Sequence, residues 1–230
     1  MKLKLLLIAG LFPFLCQGQV VKNFKQEKTG VTIVTDNGLL GIYPIANNAA
    51  RVKFSSNNET ELPELVFGID NPVPTFRIEE TPSLITVKTA KITVAIDKQS
   101  GKLSFLDATG KTLVNELAGS RKLVPGTVQG EPCFLAEQTF DSPTGEAIFG
   151  LGQFQDGQYN LKGVARRLTQ VNTQISLPFI YSSRGYGLLW HQYGLTDFNP
   201  ADNSIVLNKL EQATAGNQEA EVTTTSGTQK

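Results

Sequence analysis

The chain is predicted to be all-β, a large antiparallel β-sandwich, and three observations predict it. Short β-branched and apolar runs recur between Gly, Asn and Asp turn signals at roughly eight- to twelve-residue spacing, as in sandwiches and barrels. Within those runs apolar and polar residues alternate with a period of two. Beyond residue 18, no stretch of about eleven residues keeps the 3.6-residue apolar rhythm of an amphipathic helix.

The elements follow in order. Val31–Thr35 reads as a strand, Asp36-Asn37-Gly38 as a hairpin turn, and Leu39–Ile45 as the returning strand. Asn-Gly favours such hairpins because both residues tolerate positive φ. Leu84–Lys88 and Lys91–Ile96 are β-branched and alternating. The chain turns at 97–102, returns over Leu103–Asp107, turns again at 107–111 and continues into Leu113-Val114. This is a meander of three to four strands. From Phe149 to Trp190, glycines and one proline divide short apolar runs into further strands and turns. Ser204–Leu207 is the last strand-like run. The sandwich is expected to occupy residues 22–208. Residues 209–230, rich in Thr, Gln, Ala and Glu, are expected to form a linker or unpaired tail.

The first residues carry an address. Met1–Lys4 is positively charged, and Leu5–Leu15 is apolar but shorter than the ~20 residues of a membrane span. Cys16-Gln17-Gly18 supplies a small residue where a signal peptidase cuts. Residues 1–18 are therefore expected to be a cleaved signal peptide, Gln19 the mature N-terminus, and the protein secreted or periplasmic. Lipidation at Cys16 is the second choice, because Leu15 is bulky where a small residue is wanted. Cleavage leaves Cys133 alone, which excludes an intramolecular disulfide. No further transmembrane segment is present. The 230 residues carry 21 basic and 21 acidic side chains and no basic block, so nucleic acid is not an expected partner.

Catalytic patterns are sparse. A retaining glycosidase needs two carboxyl groups about 5–5.5 Å apart. Asp141, Asp156, Asp197 and Asp202 have some motif context, but Asp156-Gly157 and Asp202-Asn203 read first as turn formers. His191 is the single histidine, which rules out a histidine pair for sugar-ring acid–base chemistry. One histidine and Cys133 make no zinc or iron site, and no cofactor is implied. Gly150-Leu151-Gly152 lacks the third glycine of a dinucleotide fingerprint and reads as a tight turn. No catalytic residue is expected in this chain. Tyr159, Tyr181, Tyr186 and Tyr193 are candidates for stacking on a sugar, with Tyr186 and Trp190 better read as packed.

Four motifs occur in a telling order: FGLGQFQDGQYNLKG at 149–163, RLTQVNTQ at 167–174, LPFIYSSRGYGLLW at 177–190, and TDF at 196–198. Their order resembles the N-terminal β-sandwich of family 31 glycoside hydrolases, the α-glucosidase and α-xylosidase family. The ITVAID…SGKLSFLDATGKTL meander resembles the same galactose-mutarotase-like supersandwich. The resemblance covers roughly residues 25–200. It implies a secreted enzyme that removes terminal α-linked xylose or glucose from oligosaccharides, with the catalytic barrel of the same polypeptide still to come. It also implies that Asn172, Thr173 and Gln174 form a loop contributing to a sugar subsite. Position 174 carries Gln where many members have Asp or Glu, which keeps hydrogen bonding and removes the charge. The competing expectation is a stand-alone secreted carbohydrate-binding sandwich without catalysis. An uncovered apolar patch on Phe149–Phe154 and Leu177–Tyr181 would favour the first expectation.

Overall fold

The computed structural model describes residues 19–56, 64–66 and 72–198, together with two short strands at 222–224 and 227–229. Among the described residues there is no helix, and the strands form antiparallel sheets. The expected signal peptide, the strand at 204–207 and most of the tail lie outside the described residues. The chain divides into two compact units between Pro143 and Thr144.

The first unit is a sandwich. Strands β1 (Val21–Gln26), β2 (Val31–Thr35), β3 (Gly38–Ala46) and β4 (Ala49–Ser55) form one sheet in sequential order. Strands β5 (Arg77–Glu80), β6 (Leu84–Lys88), β7 (Ile92–Asp97), β8 (Leu103–Asp107) and β9 (Thr112–Asn115) form the other. The predicted meander is thus one or two strands longer than expected. Its extra member, β5, is a charged edge strand with no apolar alternation to reveal it. One core joins the two sheets: Val31, Ile33, Leu40 and Ile42 meet Ile85, Val87, Val94, Ile96 and Leu103. Spacing by two within each strand puts these side chains on one face. All nine are at most 1% exposed, and each such burial contributes about 1.5–3 kcal/mol. A mostly exposed hairpin, β10 (Lys122–Val128) with β11 (Glu131–Glu137), completes the unit.

The second unit is built on a three-stranded sheet in the order β12-β14-β15. Its strands are β12 (Ile148–Gln153), β14 (Ile175–Ser182) and β15 (Tyr186–Leu189). A short pair, β13 (Arg166–Leu168) with β16 (Thr196–Phe198), accompanies it. Strands β17 (Val222–Thr224) and β18 (Gly227–Gln229) form a separate hairpin. The core of this unit is small: Ile148, Leu151 and Leu161, with Phe154, Leu168, Ile180 and Phe198 packed around them.

Gly150-Leu151-Gly152 is not a turn but an irregularity inside β12. All three residues have positive φ, and the register with β14 shifts between the two glycines. A Cβ at Gly150 would lie 2.5 Å from the carbonyl oxygen of Phe179, and one at Gly152 would lie 2.1 Å from that of Ile175. The contortion delivers Leu151 into the core at 1% exposure. A left-handed leucine costs about 1–2 kcal/mol, comparable to what its burial returns.

Candidate functional site

Asn172, Thr173 and Gln174 lie in a tight hairpin of the second unit. Val171 and Gln174 exchange both backbone hydrogen bonds, 3.4 and 3.2 Å, leaving Asn172-Thr173 as a two-residue turn. Three side chains fix its base. Gln170 Nε2 donates to the Ser176 carbonyl at 3.2 Å, while its Oε1 accepts from the Ser176 N–H at 3.1 Å. Ser176 Oγ donates to the Thr169 carbonyl at 2.6 Å. Gln174 Nε2 donates to the same carbonyl at 2.9 Å and to Thr169 Oγ1 at 3.2 Å.

This geometry separates the three predicted residues. Asn172 and Thr173 are exposed at the apex. Gln174 is half-buried, and its amide NH2 holds the hairpin together. Its departure from an acid has a structural counterpart: a carboxylate has no hydrogen to donate to the Thr169 carbonyl. A shallow cleft of about 140 Å³ lies beside the hairpin base, lined by Gln170, Ser176, Gln192, Tyr193 and Thr196 among others.

The preceding motif is anchored differently. Asn160 Oδ1 accepts from the Ile148 and Lys162 N–H groups, both at 3.1 Å, and the Leu161 N–H donates to the Ile148 carbonyl at 2.7 Å. Leu161 is thereby buried against Ile148. Tyr159, one residue earlier, stands outward at 76% exposure.

Each described acid of this unit is tied to its own partners. Arg167 grips Asp197 through Nε and NH2 at 2.9 and 3.1 Å across the β13–β16 pair. The hydrogen bond to Asp197 raises the guanidinium pKa further. Asp156 caps its own turn by accepting from the Gln158 N–H at 3.0 Å and pairs with the buried Arg166, which stacks on Phe154 at 4.1 Å. The backbone bond first, and Arg166 second, hold the Asp156 carboxyl below the usual carboxylate range. Glu146 is buried and accepts from Ser182 and from the Tyr186 hydroxyl, the latter at 2.8 Å. Burial, and next that carboxylate, push the Tyr186 phenol far above its ordinary range. Outside the unit, the Asp141 N–H donates to the Asn115 carbonyl at 2.8 Å. Asp202 lies outside the described residues. Among the described residues no His, Cys or carboxylate group could hold a metal ion. His191 Nε2 and the Tyr193 hydroxyl lie 3.2 Å apart, within hydrogen-bond distance, and the two rings meet edge-on with centroids 5.5 Å apart.

What residue-by-residue reasoning did not resolve is the face of the sheet. Ile175, Leu177, Phe179 and Tyr181 alternate along β14 on one side, with Leu189 opposite Phe179 on β15. They are 52%, 54%, 43%, 46% and 37% exposed. Phe149, opposite Tyr181 on β12, stacks on it at 5.1 Å and tilts against Tyr159 at 5.0 Å. The signal was the period-two apolar run itself, which cannot say which of its faces is covered.

A family model described as the glycosyl hydrolase 31 N-terminal galactose mutarotase-like domain matches residues 39–199. An α-xylosidase of Saccharolobus solfataricus is 30% identical over 172 residues, which is 70% of this chain and 23% of that protein. The crystal structure of a family 31 α-xylosidase from Xanthomonas citri superposes with a TM-score of 0.71 at 32% identity, over 75% of this chain and 19% of that one. A family 31 α-xylosidase from a soil metagenome, solved with xylose, gives 0.68 at 27% identity, over 79% of this chain and 29% of that one. The chain thus spans less than a third of the length of each of these relatives.

Proposed function

The chain belongs to the glycosyl hydrolase 31 N-terminal galactose mutarotase-like domains, and on that premise we propose that it is the non-catalytic front part of a secreted α-glycosidase. The observation that carries this reading is the uncovered apolar face of β12, β14 and β15. A soluble monomer rarely leaves such a contiguous face in water. The length of the relatives supplies an occupant, the remainder of the same polypeptide with its catalytic barrel. Hydrolysis of terminal α-linked xylose, or else glucose, is the reaction of that whole enzyme. The likeness to three α-xylosidases favours xylose.

Within it, the hairpin tip Asn172-Thr173 is the contact offered to the sugar, and Gln174 keeps the tip rigid. Neutral amide and hydroxyl groups suit a neutral pyranose, whose hydroxyls both donate and accept. This chain alone is inactive in this reading: Glu146, Asp156 and Asp197 of the second unit are each held by a partner rather than facing one another across a cleft. The proposal includes export: residues 1–18 have the charged start, apolar stretch and small residue of a signal peptide, with Gln19 first in the mature chain.

The test compares this chain with the product of the whole reading frame on aryl α-xylosides and α-glucosides. The expected result is hydrolysis by the long product only, with Asn172→Ala raising KM more than it lowers kcat. Hydrolysis by this chain alone, or a frame that stops after Lys230, overturns the reading.

One observation favours a second reading. Phe149, Tyr159 and Tyr181 form an exposed aromatic group of the kind that stacks on pyranose faces. A stand-alone binding module would use it, and millimolar or tighter binding of xylogluco-oligosaccharides to this chain would support that reading instead.

A further inference from the structure

Gln19 occupies an unusual place for a residue at the edge of a fold. It is only 4% exposed. Its Nε2 donates to the Arg121 carbonyl at 2.8 Å, and its Oε1 accepts from Arg121 NH1 at 2.5 Å. Both ends of its amide are thus held by one residue 102 positions away. Its backbone N–H donates to the Ser100 carbonyl at 3.0 Å. Arg121 is itself fixed, since NH2 donates to the Gly101 carbonyl at 3.1 Å and to the buried Glu116 carboxylate. The guanidinium also lies over the Phe54 ring at 5.4 Å.

An N-terminal glutamine has a characteristic reaction. The free α-amine attacks the side-chain Cδ, the Cδ–Nε2 bond breaks, ammonia leaves, and a five-membered lactam closes. No oxidant or second substrate is needed. The ring requires the side chain to fold back onto its own amine. In this fold the side-chain amide is bonded to Arg121 at both its atoms, while the backbone nitrogen is bonded to the Ser100 carbonyl.

We propose that Gln19 is an N-terminal modification site held closed by the fold: the Arg121 clamp keeps the processed terminus as an open-chain glutamine. The inference rests on the export reading, which makes Gln19 the first residue. Cyclisation then proceeds only through a locally opened terminus and is slowed by the equilibrium for that opening. A ring formed before folding removes the Nε2 donor and weakens the clamp, so export and folding must outrun the chemistry. The Glu116–Arg121 pair thereby has a use beyond packing, as the anchor that aims the guanidinium at Gln19.

The test follows the N-terminal peptide of the exported, processed chain by mass, during incubation in buffer and in unfolding concentrations of urea. The expected result is a terminus at Gln19 that loses ammonia about tenfold or more slowly when folded than in urea, the factor given by an opening cost of about 1.4 kcal/mol. Arg121→Lys keeps a cation for Glu116 but loses the fork that reaches Gln19, and it should speed ring closure in buffer. Equal rates in buffer and urea overturn the clamp while leaving the export reading intact. A terminus at any other residue overturns both.

Discussion

The two units of the chain solve the same problem unequally. The first closes two sheets on nine side chains that water does not reach. The second has one comparable face, resting on Ile148, Leu151 and Leu161, and leaves the other face of its sheet apolar and wet. A sheet gains stability only from the faces it buries, and three strands with one thin core are near the lower limit for independence. The difference teaches which unit has buried its apolar faces and which has left one in water. On the outer positions of β5 this protein carries the charges of Arg77, Glu79 and Glu80, which protect an edge where no partner comes. On β14 it does not.

The contrast can be broken most sharply by matched truncations. Ile96→Ala removes a fully buried side chain shared by both sheets of the first unit and is expected to destabilise it by about 2–5 kcal/mol. Phe179→Ser, on the uncovered face, is expected to change the stability of this chain by less than about 0.5 kcal/mol. The same change should lower the solubility or activity of a longer product that covers the face. Urea melts followed at Trp190 for the second unit, and by far-UV dichroism for the whole, would separate the two. A Phe179→Ser loss as large as that of Ile96→Ala would mean that the face is already covered in this chain.

Next in size is the bulge that supports the second unit. Gly152 sits at φ +99°, and a Cβ there meets the Ile175 carbonyl oxygen. Gly152→Ala is expected to cost about 1–3 kcal/mol from backbone strain alone, and more from the clash. Gly110 is the control in the first unit, with φ +86° and open space around its missing Cβ. Gly110→Ala should cost only the strain. Thermal melts of the two variants measure the difference, and equal losses would remove the role given to the bulge.

The reach of sequence reasoning differs between the units for the same physical reason. Val31–Thr35, Leu84–Lys88 and Leu103–Asp107 were legible because one face is buried, so apolar and polar residues alternate. The DNG turn was legible because few residues tolerate its backbone. Strands β1, β5, β10 and β11 were not, because they are mostly exposed and carry no alternation. The motif at 149–163 marks the right segment, but by sequence alone its glycines suggest a turn. Only the register against β14 shows that they allow a contorted strand. At the candidate site, sequence order placed Asn172, Thr173 and Gln174 together. It could not show that Gln174 faces inward to Thr169 while its neighbours face out, since that is decided by a hairpin two residues long.

A smaller effect tests that division of labour. Gln174→Ala removes two hydrogen bonds within the hairpin, each contributing about 0.5–1.5 kcal/mol. It is expected to loosen residues 169–176, seen as faster amide exchange at Val171 and Gln174, with little change in the global melt. Asn172→Ala should leave that exchange unchanged. If both variants behave alike, the apex and base of the hairpin are not distinct.

The smallest expected effect compares two turn aspartates. Asp107 accepts from Thr109 Oγ1 at 2.6 Å and from the Thr109 and Lys111 N–H groups, and the Thr109 hydroxyl bond leads in lowering its pKa. Asp156 is lowered first by the Gln158 N–H and then by Arg166. Both carboxyls therefore release their protons more readily folded than unfolded. Each contributes stability that is present above the unfolded aspartate pKa and lost as pH falls through the lower folded value. The partners differ in reach. The ligands of Asp107 all lie within one turn of the first unit, whereas Asp156 is joined to Arg166 on β13. Carboxyl-carbon titrations should show both midpoints below 3.8. Thr109→Ala should raise that of Asp107, and Arg166→Met that of Asp156. Mild urea that opens the second unit before the first should return Asp156, and not Asp107, to an ordinary value. Simultaneous return of both would show that the thin core of the second unit melts together with the sandwich, and that its uncovered face carries no separate instability.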